Sequence, residues 1–183
     1  MDERERLVRL LRERSFREGE FTLASGRRSR YYVDARTTTM SAEGQALIGP
    51  LALAALDEAG LDPDAVGGLT MGADPIAYSI AHRSFLDGRP IEAFSVRKES
   101  KGHGRGRRIE GRLEPGQSVV VVEDVITTGG SALRACAAVQ EAGAEVLAVL
   151  ALVDREEGGR EALEKEGHRV VSLVRLSELA GAP

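Results

Sequence analysis

The sequence has one cysteine, no tryptophan and few aromatic residues of any kind, 4% of 183 positions. A lone Cys136 excludes an internal disulfide and any cysteine-cluster metal site. It falls in a helical pattern and reads as a small buried apolar residue. Without Trp the core has to rest on Leu, Val, Ile and Ala. No apolar run approaches the roughly 20 residues of a membrane span. The first stretch, MDERERLVRLLRER, is charged throughout and lacks the apolar centre of a signal peptide. A cytoplasmic protein is therefore expected. What remains is an ordinary globular mix, 42% apolar and 30% charged, expected to fold as one domain over residues 1–183.

Short apolar runs alternate with helical patterns. Helices are expected over residues 3–14, from Ser41 to about Glu58, from Asp74-Pro75 to about Phe85, over Ser131–Glu141, and near Arg160–Glu166. Strands are expected at Ala65–Thr70, Ile91–Val96, Ser118–Val122, Val146–Val153 and Val170–Val174. Phe21 to Asp34, with aromatics and a Ser-Gly punctuation, suggests short strands and a turn. The alternation predicts an α/β fold, a mainly parallel central sheet flanked by helices. Ligands of such sheets bind beyond the carboxyl ends of the strands.

One strand ends oddly. Val119–Val122 runs into Glu123 and Asp124, then into Thr127-Thr128-Gly129-Gly130-Ser131. Adjacent carboxylates repel each other and are costly beside a sheet unless they meet a partner. The Thr/Gly/Ser run opens a helix, where unpaired N–H groups and the helix dipole suit a phosphate. Carboxylates beside a phosphate cradle suit what the phosphate is attached to, such as sugar hydroxyls that donate to them. The stretch reads as a ribose-5-phosphate site. It is no Walker loop, because it has no Lys, and no dinucleotide fingerprint, because G-x-G-x-x-G is missing.

A second feature is Arg97 to Arg112, RKESKGHGRGRRIEGR, with a net charge of +5 in a chain whose total is −4. Its four glycines and single apolar residue, Ile109, predict a mobile loop over residues 97–112 that orders on a polyanion. A solvated surface loop is one alternative. Nucleic-acid binding is another, although no aromatics are interleaved for stacking.

Glu123-Asp124-Val125-Ile126-Thr127-Thr128-Gly129-Gly130-Ser131 resembles the phosphoribosyl pyrophosphate (PRPP) motif of type I phosphoribosyltransferases. Arg97-Lys98-Glu99-x-Lys101-x-His103-Gly104 is similar to the R-K-x-x-K-x-H-G loop of the orotate phosphoribosyltransferases. Phe21 to Asp34 resembles the same family's F-x-L-x-S-G-x-x-S-x-Y-Y-x-D segment, with Ala24 where many members carry Lys. The likeness runs from about Phe21 to Leu173.

The resemblance implies the type I phosphoribosyltransferase fold with a small N-terminal hood, about residues 1–40 together with the base pocket. It implies transfer of the phosphoribosyl group of PRPP to orotate, with Mg²⁺ held mainly through the substrate and near Glu123 and Asp124. By position, Arg97, Lys98, Lys101 and His103 would contact pyrophosphate, and Lys101, His103 and Asp124 would carry the chemistry. Residues 123–131 would hold the ribose phosphate. Thr127, Arg155, Tyr31 and Tyr32 would meet orotate. Gly68 to Pro75 would form a pyrophosphate turn in which the part of Asp74 is open. A homodimer is implied, with the basic loop acting in the neighbouring subunit. A phosphoribosyltransferase for another base and a non-catalytic nucleotide sensor are the alternatives.

Overall fold

The computed structural model describes residues 2–22, 26, 28–98 and 108–181. Helix α1 (Glu3–Arg14) starts at a capping box between Asp2 and Glu5 and buries Leu7, Leu10 and Leu11. Strands β1 (Phe16–Thr22) and β2 (Arg28–Val33) then form a separate antiparallel pair. The hairpin begins five residues before the expected Phe21. Its first strand, FREGEFT, is exposed along most of its length and carries no apolar alternation to announce it. A four-residue helix, α2 (Arg36–Thr39), follows. Helix α3 (Ala42–Glu58) is capped by Ser41, whose hydroxyl accepts from the Gly44 N–H at 3.0 Å.

The remaining strands are β3 (Ala65–Leu69), β4 (Glu92–Val96), β5 (Ile109–Gly111), β6 (Ser118–Ile126), β7 (Glu145–Asp154) and β8 (Val170–Arg175). They form one sheet in the order β5-β4-β3-β6-β7-β8, parallel except for β5 at the edge. The helices between them are α4 (Asp74–Leu86), α5 (Gly130–Glu141) and α6 (Gly159–Lys165), and α7 (Leu176–Leu179) follows β8. The valines of β6 divide the core by the alternation of a strand. Val120 and Val122 join Leu7, Ile48, Ile76 and Ile80 on one face, while Val119 and Val121 join Ala135, Cys136 and Val139 on the other. Burial pushes the Cys136 thiol up to about 12, which leaves it unreactive. Among the described residues no helix is long and apolar enough to cross a membrane.

Two expectations are corrected. The strand that was to end at Val122 continues to Ile126, so both acids lie within it. The long neighbour β7 carries the ladder onward, pairing Glu123 with Ala151 and Ile126 with Asp154. The segment expected as a mobile loop over 97–112 is ordered at its distal end. Ile109 pairs with Val96, and the Arg97 N–H donates to the Arg108 carbonyl at 2.8 Å. Residues 99–107, with Lys101 and His103, lie outside the described residues.

This topology opens a crevice. From β3 the chain crosses through α4 to β4 on one side, and from β6 it crosses through α5 to β7 on the other. Loops that leave adjacent strands in opposite directions leave a gap at their carboxyl ends. Pairing of β3 with β6 stops at Gly67 and Val121, so the end of β6 projects beyond its neighbour.

The close fit of β3 to β6 is directly testable. A Cβ at Gly68 would collide with the Val122 carbonyl and approach the Ala73 Cβ to 2.8 Å. Gly68→Ala is expected to cost about 1–3 kcal/mol, read by calorimetry as a fall of several degrees in the thermal midpoint. An unchanged midpoint would show that the two strands spread without penalty.

Candidate active site

The crevice holds a cavity of about 510 Å³ with Glu123, Asp124, Lys98, Arg36, Arg155 and Tyr32 among its walls. A smaller pocket of about 130 Å³ adjoins it, sharing Glu123, Val125, Thr127 and Ser131 and adding Thr128, Gly129 and Gly130. The residues of the Glu123–Ser131 motif are therefore brought together around one continuous hollow.

The smaller pocket sits at the start of α5. Gly129 is the N-cap, in the left-handed region at φ 80°, and among the described residues no side chain caps this end. The N–H groups of the first turn are the natural partners of an anion there. Glycine is also required from outside. A Cβ on Gly129 would lie 2.9 Å from the Gly159 carbonyl, and one on Gly159 would lie 2.6 Å from the Thr127 carbonyl. The turn is thus pressed against the start of α6.

Glu123 is 8% exposed, and among the described residues its Oε2 is buried without a hydrogen-bond partner within 3.5 Å. Desolvation, then the charge of Asp124 and a hydrogen bond with it, push the Glu123 carboxyl up to about 8. Burial also raises Asp124, against the pull of the Val125 N–H, which donates to its Oδ1 at 2.9 Å. Both shifts favour the protonated forms, and a nearby positive charge would oppose them.

Arg155 is 4% exposed. Its Nη2 donates to Ser29 Oγ at 3.0 Å, the Tyr31 carbonyl at 3.1 Å and Glu157 Oε1 at 2.7 Å. Its Nε has no partner among the described residues. This arginine locks the hairpin onto the end of β7. The tyrosines divide by strand alternation. Tyr32 lines the large cavity and packs on Phe21 at 5.5 Å between ring centroids, while Tyr31 packs on Phe16 at 5.4 Å. Among the described residues Tyr31 meets Arg155 through its carbonyl, and its ring does not line the cavity.

Lys98 lines the cavity, whereas Arg97 is drawn to Glu110 at 3.2 Å across the β4–β5 edge. One lining cation has no counterpart in the sequence reading. Arg36 makes a two-pronged pair with Asp34, at 2.9 and 3.0 Å, and its charge also reaches Asp124. The hydrogen bond from Arg36 holds the Asp34 carboxyl below its ordinary value. Only the position of Arg36, two residues after the last acid of the Tyr-Tyr-x-Asp segment, could have marked it.

The phosphoribosyl transferase domain model matches residues 41–173. The chain is 56% identical over 182 residues to the orotate phosphoribosyltransferase of Aquifex aeolicus, covering 98% of each. It is 46% identical to the corresponding protein of Rhodopirellula baltica, covering 97% of this chain and 94% of that one. Among solved structures, it matches the Mycobacterium tuberculosis orotate phosphoribosyltransferase in complex with PRPP with a TM-score of 0.82 and 45% identity. That match covers 98% of this chain and 99% of the other.

The buried acid predicts a pH dependence. Between the ordinary glutamate value of 4.5 and about 8 the folded protein keeps a proton that the unfolded chain has released. Stability from this group is therefore lost as pH rises through that window. Glu123→Gln is expected to flatten the decline in thermal midpoint between about pH 5 and 8 and to raise the midpoint at the alkaline end. At this chain length each kcal/mol corresponds to about 2–4 °C. Parallel pH profiles for variant and parent would show that Glu123 titrates normally.

Proposed function

Because the chain belongs to the orotate phosphoribosyltransferases of the phosphoribosyl transferase domain family, we propose that it transfers the phosphoribosyl group of PRPP to orotate. The products are orotidine 5′-monophosphate and diphosphate, a step of pyrimidine nucleotide synthesis. The observation that carries this reading is the Glu123–Asp124 pair, one buried and one half-buried, set between the start of α5 and a cavity of about 510 Å³.

Each part has a physical task. Residues Thr127–Ser131 cradle the 5′-phosphate with N–H and hydroxyl donors. Glu123 and Asp124 accept from the ribose hydroxyls, and their negative charge favours the positive charge that grows at C1 as diphosphate leaves. Lys98 neutralises the departing diphosphate, helped by Lys101 and His103 of the basic segment. Arg155, with Thr127 and Tyr32, faces the base and offers its charge to the orotate carboxylate.

Mg²⁺ fits this donor set as part of the substrate complex. The donor-free Glu123 Oε2 suits a cation, yet among the described residues no group of three or more His, Cys, Asp or Glu could cage one. Glu123 and Asp124 would hold it, largely through water, with the substrate supplying most oxygens. When bound it supplies neutralising charge to the diphosphate. The same proposal includes a homodimer in which the basic segment acts in the neighbouring site.

Two measurements test this. Loss of orotate absorbance with PRPP and Mg²⁺, with uracil, hypoxanthine and adenine in parallel, should show turnover of orotate. Turnover of another base instead would overturn the pocket assignment. Asp124→Asn should lower turnover by about 10²–10³ without loss of fold. Lys101→Ala should also lower turnover sharply, and mixing the two variants should restore part of the activity. Exchanged subunits with no recovery would rule out action across a dimer.

A further inference from the structure

Asp74 is the first residue of α4, and both of its oxygens are engaged. Oδ2 accepts from Thr70 Oγ1 at 2.6 Å and Oδ1 accepts from Ser95 Oγ at 2.7 Å. Ser95 Oγ lies in turn 3.1 Å from the Tyr78 hydroxyl. Among the described residues no side chain caps the first turn of α4, and the carboxylate's partners are hydroxyls outside that helix. Thr70 belongs to the turn after β3, and Ser95 belongs to β4, two residues before Arg97. One carboxylate therefore ties the turn to the strand from which the basic segment leaves.

Across the crevice the same turn meets the acidic pair. A Cβ on Gly72 would lie 2.7 Å from Asp124 Cγ and from both its carboxyl oxygens. The turn backbone is thus in contact with a carboxylate assigned to the ribose. A displacement of the turn in one direction would strike Asp124, and in the other would open a gap in the cavity wall formed by Thr70, Met71 and Gly72.

We propose that Asp74 is a positioning residue for PRPP. It holds the Thr70–Gly72 turn against Asp124 and in register with Lys98, so that the ribose acids, the turn and the cations meet one ligand together. This rests on the reaction proposed above. A carboxylate suits the task because charge-assisted O–H···O⁻ bonds are short and strong, and because two oxygens serve donors from two elements. Its negative charge also suits a helix start. An asparagine preserves the link, since its amide presents one acceptor and one donor and hydroxyls do both. Alanine removes it.

The experiment combines steady-state kinetics with calorimetric titration of PRPP for the parent, Asp74→Ala, Asp74→Asn and Ser95→Ala. In Asp74→Ala the KM and the calorimetric Kd for PRPP are expected to rise about tenfold, with the KM for orotate unchanged. Asp74→Asn should recover most of the affinity. Ser95→Ala should lose part of it, and adding that change to Asp74→Ala should cost little more, since both break one network. Thr70→Val carries the same test if Asp74→Ala fails to fold. Unchanged PRPP affinity in Asp74→Ala overturns the proposal. So does a parallel rise in both KM values with a lowered thermal midpoint, which would mean that Asp74 serves the fold alone. A parent that binds PRPP but leaves orotate unchanged would overturn the assigned reaction, while the titration series would still decide the part of Asp74.

Discussion

Two adjacent carboxylates inside a central strand, Glu123 buried and Asp124 half-buried, are the constraint around which the molecule is arranged. Removing them from water favours their neutral forms, and their closeness adds repulsion, which is why Glu123 is pushed up to about 8. Such a pair is tolerable where the ladder of β7 secures the strand and the other flank is open to a cavity.

The rest of the site follows from where this strand lies. β6 borders the point at which the crossovers diverge, so the loops after β3 and β6 frame a gap instead of covering it. Glycines at two contacts then set how tightly the frame closes. Gly72 lets the β3 turn reach Asp124, and Gly159 lets α6 reach the Thr127 carbonyl. The space is taken by the Asp124 carboxylate at Gly72 and by the Ile126 side chain and Thr127 carbonyl at Gly159, so the requirement for glycine comes from neighbours distant in sequence.

Arg155 illustrates how structural and functional demands converge. A cation 4% exposed needs partners, and it finds them in Glu157, Ser29 and the Tyr31 carbonyl. Those partners join the hairpin to the sheet, and the charge that holds the two together also faces the cavity. Arg36 does something similar at the rim, where Asp34 orients it and its charge reaches Asp124. In each case the orientation of a cation near the site is set by a carboxylate two residues away in the chain.

The sequence by itself determined the alternation of strands and helices, the acidic pair, the Thr/Gly/Ser turn and the basic segment. These are local patterns, written in the spacing of adjacent residues, and each maps onto one element or one turn. Tertiary structure alone decided the extension of β6 through its acids, because the ladder of β7 outweighs the low strand propensity of Glu and Asp. It decided the early start of the exposed hairpin, the pairing of β5 on β4, the separation of Tyr31 from Tyr32, and the presence of Arg36 in the cavity. It also decided the link from Asp74 to Thr70 and Ser95. Most of these outcomes depend on pairings between elements, and such pairings leave no periodic signature in the chain. They arise only when the sheet has set which strand ends lie side by side.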